Sequence, residues 1–262
     1  MLNFDLSGRR AVVTGASVGI GAACVRMLAD HGANVVFCAR GEGNVNSLAA
    51  YQPESSAGSV EGYQADMGDA ASTNVFLDKV DAGGQVDILI NNVGASPSRN
   101  FLYMTDEDWE SLFSLNLLSA VRCTRRFLPA MRKQKWGRVI MIASAAAKSP
   151  GAALIDYGAS KAAMVATSKA LSGKYGSDNV LFNSILPGLI HTAMWERAAD
   201  EIAEASGGTR EGVLANNSKN VPVGRYGTSE EVASVVTFLC TEAASFVNGT
   251  AIDVDGGQNR HI

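Results

Sequence analysis

A doubly wound α/β fold, with a parallel sheet of about seven strands and helices on both faces, is what this chain predicts. Three observations carry that expectation. Short β-branched runs alternate with longer helical patterns through all 262 residues, the order that right-handed βαβ crossovers and a parallel sheet require. Runs such as Asp87–Ile90 and Val139–Ile142 are apolar on both faces, as expected of strands covered on both sides. A glycine-rich turn separates the first run from the first helical pattern, the context in which such a turn carries meaning.

In chain order, the first strand is placed at Ala11–Thr14 and leads across the glycine turn into a helix over Ile20–His31. Strands at Asn34–Cys38 and Val60–Gln64 follow, then a helix over Ala71–Ala82 and a strand at Asp87–Ile90. A long apolar pattern predicts one helix over Asp106–Lys133, before a strand at Val139–Ile142 and an Ala-rich helix over Asp156–Tyr175. After the strand Val180–Leu186, the helix Ser229–Thr241 opens on Thr228 and Glu231, a capping box in which each satisfies an orphan N–H of the other. Thr250–Val254 is the last strand. Ala193–Gly227 fits the alternation least: an amphipathic patch from Trp195 to Ala205, then Gly207-Gly208-Thr209 and a polar stretch. A long excursion after a late strand is more often functional than ornamental, so it is expected to form a lid over a substrate.

Composition bounds the function. Hydrophobic residues make up 47% of the chain and charged ones 18%, with 27 glycines, which describes a compact globular protein with many tight turns. No repeat or linker divides residues 1–262, so a single domain is expected. A net charge of -4 argues against a dedicated nucleic-acid or anionic-membrane binder. No apolar stretch approaches the length of a membrane span, and the first residues lack the pattern of a signal peptide. Cys24, Cys38, Cys123 and Cys240 are far apart within apolar segments, as suits buried thiols in a reducing cytoplasm. With three scattered histidines and no paired cysteines, no metal site is expected.

The turn after the first strand reads Thr14-Gly15-Ala16-Ser17-Val18-Gly19-Ile20-Gly21. Glycines let the backbone bend and approach a pyrophosphate, while the helix N-terminus supplies N–H donors and positive dipole. The bland alternative is a structural turn. The second strand closes on Phe37-Cys38-Ala39-Arg40 with no carboxylate at its tip. An acid there suits an adenosine ribose, whereas a guanidinium suits a 2′-phosphate. Arg40 therefore favours NADP(H) over NAD(H), unless it is a plain surface arginine.

Ser144 ends the strand at Val139–Ile142, and thirteen residues later Tyr157 and Lys161 stand at i,i+4 on the next helix. Such a pair shares one helical face, so the ammonium is expected to favour the phenolate and make the tyrosine a proton donor or acceptor.

Taken in order, these motifs resemble the single-domain branch of the short-chain dehydrogenase/reductase family, a Rossmann-type fold, and are similar to those of 3-oxoacyl-carrier-protein reductases. The matching positions are the glycine turn, Asp66, Asn91-Asn92-Val93-Gly94, Asn116, Ser144, Tyr157 with Lys161, Pro187-Gly188 and Asp255-Gly256-Gly257, spanning nearly the whole chain. Met141, Ala143 and Val93 depart from common family residues in packing around the site. The resemblance implies a cofactor groove built from Gly15, Ser17, Gly19, Ile20, Gly21, Arg40, Asp66, Met67, Asn92, Gly94, Tyr157, Lys161, Ile190 and Thr192. Asp66 and Met67 would meet adenine, and Ile190 with Thr192 the nicotinamide. Asp66 alone could equally cap a helix, and Asn91 with Asn92 could merely satisfy backbone groups at a strand end.

Catalysis is implied for Asn116, Ser144, Tyr157 and Lys161: hydride transfer between the cofactor and a carbonyl carbon, with Tyr157 as acid/base and Ser144 as one arm of an oxyanion hole. Asn116 is polar in an otherwise apolar helical run, a local misfit expected of a functional position. The resemblance has it disturb the helix and hold a water that relays protons to Lys161; the alternative is an amide bonded to a neighbouring helix.

Ala95–Pro97, Ala145–Ala147, Leu154, Ile155, Leu189, Met194 and Trp195 are pocket candidates, small or apolar, pointing to a ketone or secondary alcohol with a hydrophobic body. His191 is either a substrate contact or an exposed loop residue. From Arg122 to Arg138 run seven cations and no acid (Arg122, Arg125, Arg126, Arg132, Lys133, Lys135, Arg138). They read as a solvated face, or as a dock for an acidic acyl-carrier protein. The two long helices predict a homodimer or homotetramer. A non-catalytic NADP(H)-binding regulator or scaffold of the same fold is the alternative function.

Overall fold

The computed structural model describes residues 4–260. Seven strands among them form one parallel sheet: β1 (Arg10–Thr14), β2 (Asn34–Ala39), β3 (Ser59–Gln64), β4 (Ile88–Asn91), β5 (Gly137–Ile142), β6 (Val180–Pro187) and β7 (Ala251–Val254). Their spatial order is β3-β2-β1-β4-β5-β6-β7. The chain starts mid-sheet, winds to one edge, and returns to set β4 beside β1, with Val12 opposite Leu89. That reversal opens a crevice at the carboxyl ends of β1 and β4, where doubly wound sheets bind ligands.

Pleating sorts each strand between two cores. Ala11 and Val13 of β1, with Ile140 and Ile142 of β5, pack in one cluster with Val25, Leu28, Val232 and Val236. Val12, Val139 and Met141 face the other way, onto Phe76, Phe127 and Met164. These strands are apolar throughout because helices cover both faces.

The helices are α1 (Gly19–Asp30), α2 (Glu42–Ala49), α3 (Ala70–Ala82), α4 (Asp106–Phe113), α5 (Ser119–Gln134), α6 (Ile155–Tyr175), α7 (Ala193–Ser206), α8 (Arg210–Ser218) and α9 (Ser229–Cys240). Thr228 and Glu231 form the expected capping box of α9. Three features differ from the sequence reading. The pattern at 42–49 is short and weakly apolar, burying only Val45 and Leu48, and α2 was not anticipated. The helix expected over Asp106–Lys133 is interrupted by a π-helical turn at Ser114–Leu118. The excursion at 193–227 holds two helices, α7 and α8, the second capped by the Thr209 side chain on Gly212 N–H. Its two ends are tied together, His191 N–H donating to Gly227 O at 2.8 Å and Gly227 N–H to Leu189 O at 2.9 Å.

Candidate active site

At the tip of β1 the chain turns through Gly15 and Gly19, both left-handed at φ 65° and 58°. A Cβ on Gly15 would lie 2.8 Å from Val93 Cγ2, so the turn can approach the β4 exit only without a side chain. The Asn92 amide donates to Thr14 O at 3.1 Å and Gly15 O at 2.8 Å. Asn92 therefore builds the groove wall, and its amide is already committed to the protein. Beyond the turn, α1 begins with no side-chain cap and no acidic residue in its first turn. Orphan N–H groups and positive dipole are left for an anion, which fits the pyrophosphate of a dinucleotide. Ser17 is half-buried in this turn, and a Cβ on Gly19 would sit 3.4 Å from Thr192 Cγ2, which brings the foot of the α7 excursion to the same spot.

Beside the tip of β2 lies a cavity of about 460 Å³ lined by Arg40, Asp66, Gly68, Glu110, Ser111, Ser114 and Leu115, where the resemblance expects the adenosine. Arg40 is exposed at its rim, and Gln64 at the end of β3 donates to Arg40 O at 2.9 Å. Asp66 closes a turn by accepting Gly68 N–H at 2.9 Å; the cap of α3 is Asp69, on Ser72 N–H. The Met67 side chain, 2% exposed, packs in the core, so only its main chain is free to meet a cofactor. The same holds for Ile190, 4% exposed and packed beneath the sheet tip. Sequence reading missed Glu110 and Ser111, whose signal was their i,i+4 spacing to Ser114 and Leu115 on one helical stripe.

Ser144 follows β5, and its Oγ accepts Ala146 N–H at 3.1 Å, which fixes the oxygen and leaves the hydroxyl proton free to donate. Tyr157 and Lys161 stand on the first turns of α6. Lys161, 3% exposed, sends Nζ under the tyrosine ring, 5.8 Å from its centroid, to donate to Ile142 O at 2.8 Å. Burial pushes the lysine down to about 8. The phenol of Tyr157 is pushed up by burial, and the Ser144 hydroxyl acts in the opposite direction. The i,i+4 spacing thus brings the Lys161 ammonium to the tyrosine ring, where it is also anchored to the β5 carbonyl of Ile142.

Asn116 is fully buried at the centre of the π-helical turn. Its Oδ1 accepts Ala95 N–H at 2.9 Å, and its Nδ2 donates to Ala95 O and Ser160 Oγ, both at 3.0 Å. The helix is disturbed as the resemblance implied, but the side-chain amide is spent on the loop and on α6. A relay water would have to rely on main-chain groups of the π turn. Gly94 lets this happen: a Cβ there would be 3.1 Å from Lys161 Nζ and 3.4 Å from Asn116 Oδ1.

Ala146, Ala147 and Ile155 line an apolar depression with Pro150, Gly158, Ala159 and Ala162, whose α6 members form a helical stripe separate from that of Tyr157 and Lys161. Leu154, Leu189 and Trp195 are half-buried, and the Met194 side chain lies outside the described residues. His191 is exposed, edge-on to Tyr226, with Nε2 3.7 Å from Glu196. In the basic run, Arg126 pairs with Asp78 and Asp81, while Arg132 and Lys135 share Asp178. Arg138 is buried over Trp136. Cys24, Cys38, Cys123 and Cys240 are free and buried. Among the described residues, no group of three or more His, Cys, Asp or Glu is placed to hold a metal, and no helix is long and apolar enough to cross a membrane.

Glycine turn, crevice and Ser-Tyr-Lys site define a dinucleotide-dependent oxidoreductase architecture. The chain belongs to the short-chain dehydrogenase/reductase family; a family model described as enoyl-(acyl carrier protein) reductase matches residues 15–259. It is 34% identical over 257 residues to 3-oxoacyl-(acyl-carrier-protein) reductase FabG of Escherichia coli (strain K12), covering 98% of each chain. It is also 34% identical to the uncharacterized oxidoreductase YvrD of Bacillus subtilis (strain 168), covering 100% of both. Among solved structures, L-sorbose reductase from Gluconobacter frateurii complexed with NADPH and L-sorbose superposes with a TM-score of 0.94 at 32% identity, over 100% of both chains.

Proposed function

We propose that the protein is an NADP(H)-dependent oxidoreductase that interconverts a ketone and a secondary alcohol. The observation that carries this reading is the grouping of Ser144, Tyr157 and Lys161 at the end of β5, beside the glycine turn. When bound, the reduced nicotinamide supplies hydride to the carbonyl carbon. Ser144 donates a hydrogen bond to the carbonyl oxygen, and Tyr157 gives that oxygen its proton as the alcohol forms. Lys161, whose pKa burial lowers to about 8, can pass a replacement proton towards Tyr157. Arg40, with its backbone fixed by Gln64, would bind the 2′-phosphate that separates NADPH from NADH. NADPH is present in the sorbose reductase complex and in a structure of an actinorhodin polyketide ketoreductase variant, which is 28% identical with a TM-score of 0.90.

The reading takes a small ketone with a hydrophobic body as substrate in a cytoplasmic setting. A carrier-bound 3-oxoacyl group is less favoured, because Arg126, Arg132 and Lys135 of the basic run already hold acidic partners within the chain and Arg138 is buried. Self-association through the long helices is part of the reading, supported by the apolar depression on the outer face of α6. The test is a panel of ketones, 3-oxoacyl thioesters and secondary alcohols with NADPH and NADH in turn. NADPH-dependent reduction that disappears in Tyr157→Phe is expected; NADPH binding with no turnover on any member would favour the non-catalytic alternative.

A further inference from the structure

We propose that Arg99 and Asp156 are positioning residues for Tyr157, one arm of a two-armed clamp that fixes the tyrosine against the loop leaving β4. The inference rests on the reading of Tyr157 as the proton donor. Asp156 is 1% exposed. Its Oδ1 accepts the Tyr157 N–H at 2.8 Å, and its Oδ2 lies 2.8 Å from Arg99 Nη1. Arg99 also reaches the start of α4, with Nη2 3.3 Å from Asp108. The second arm holds the other backbone group of the same residue: Ser160 Oγ donates to Tyr157 O at 2.7 Å and accepts from Asn116, whose amide grips Ala95. The N–H and C=O of Tyr157 are therefore tied through separate chains to Ala95 and Arg99, four residues apart on one loop.

Helices α3, α4, α8 and α9 begin with Asp69, Thr105, Thr209 and Thr228 side chains bonded within three residues. α6 begins at Leu154 with no side-chain cap, so its first N–H groups are orphans. Tyr157 stands in that first turn, and its N–H is satisfied by the carboxylate of the neighbouring Asp156, which Arg99 holds from 57 residues away in sequence. A buried carboxylate is tolerated when paired, and leaving it unpaired disturbs its surroundings. Proton transfer is sensitive to placement on the scale of an ångström, and the clamp sets Tyr157 on that scale relative to the loop that carries Gly94.

The test compares Arg99→Gln, Arg99→Lys and Asp156→Asn in the full chain. Arg99→Gln should lower kcat by about tenfold to a hundredfold, with NADPH Kd and ketone KM within about twofold. Arg99→Lys should recover part of kcat, because the charge on Asp156 is again met. Amide hydrogen exchange of the segment at 155–160 should quicken in Arg99→Gln and return towards wild type in Arg99→Lys. Unchanged kcat in folded Arg99→Gln, or a rise in KM and Kd with kcat intact, overturns the proposal. If Arg99→Gln does not fold, Asp156→Asn is read by the same two measurements, and unchanged kcat and exchange there overturn it. Failure of the underlying reading shows separately, as full turnover in Tyr157→Phe.

Discussion

The side-chain amide of Asn116 pairs with both backbone groups of Ala95, accepting its N–H at 2.9 Å and donating to its C=O at 3.0 Å. An amide of this length can do both; a carboxylate lacks the donor and an aliphatic side chain lacks either group. Asn116→Leu should leave both Ala95 groups unmet and destabilise the protein by about 2–4 kcal/mol. Asn116→Asp keeps one bond but sets a buried carboxylate oxygen against the Ala95 carbonyl, and should also destabilise in urea unfolding. Both should lower kcat more than they raise the Kd for NADPH, and a variant with wild-type stability and turnover would remove the clamp from the account.

Lys161 stores instability in the site. Its pKa is pushed down by burial from 10.5 to about 8, so between those values the unfolded chain binds more protons and stability rises with pH. Below pH 8 the penalty is present in full. Lys161→Met should therefore be more stable than wild type at pH 7, by up to about 3 kcal/mol, and the gap should narrow as pH rises through 8 towards 10.5. Urea midpoints at pH 7 and pH 10 measure it. Turnover should be lost, since the ammonium that serves Tyr157 is gone.

Arg40 should govern cofactor choice. Arg40 is exposed and lines the cavity that it shares with Asp66 and Ser114. Arg40→Ser should weaken NADPH by about tenfold to a hundredfold, the worth of one or two bonds to a charged group, and leave NADH nearly unchanged. Gln64→Ala, which only releases the Arg40 carbonyl, should act in the same direction and more weakly. Cofactor fluorescence titration reads both, and equal losses for NADPH and NADH would point to a role in packing instead.

How much of this was legible in the sequence follows from the range of each signal. Strand existence was readable because Ile88–Ile90 and Val139–Ile142 are apolar on both faces, and their order implied the parallel sheet. The π turn announced itself only as Asn116 in an apolar run; its partner Ala95 is 21 residues away. Lys161 was placed beside Tyr157 by helical spacing, yet its hydrogen bond goes to Ile142, which no intrahelical rule contains. Arg99 gave no signal, because its meaning comes from Asp156, brought near by tertiary packing. The pairing within the basic run was hidden for the same reason: Asp78, Asp81 and Asp178, which meet Arg126, Arg132 and Lys135, lie on other segments.

Arg138, the last cation of that run, gives a prediction about stability alone. It is fully buried at the start of β5, with its guanidinium 4.3 Å from the centre of the Trp136 ring and 3.7 Å from Glu242. Its Nε and Nη2 make no hydrogen bond, and burial pushes its pKa down. A desolvated charge so poorly paired is often replaced by an apolar group of similar volume at no cost or with a gain. Arg138→Met keeps contact with Trp136 and should range from neutral to about 2 kcal/mol more stable in urea. Arg138→Ala should destabilise by opening a cavity beside Trp136. Ketone turnover should be untouched in Arg138→Met, because the residue sits at the end of the sheet opposite Tyr157. A loss of more than about 2 kcal/mol in Arg138→Met would show that the bonds to Gly137 O and Asn179 O outweigh the desolvation.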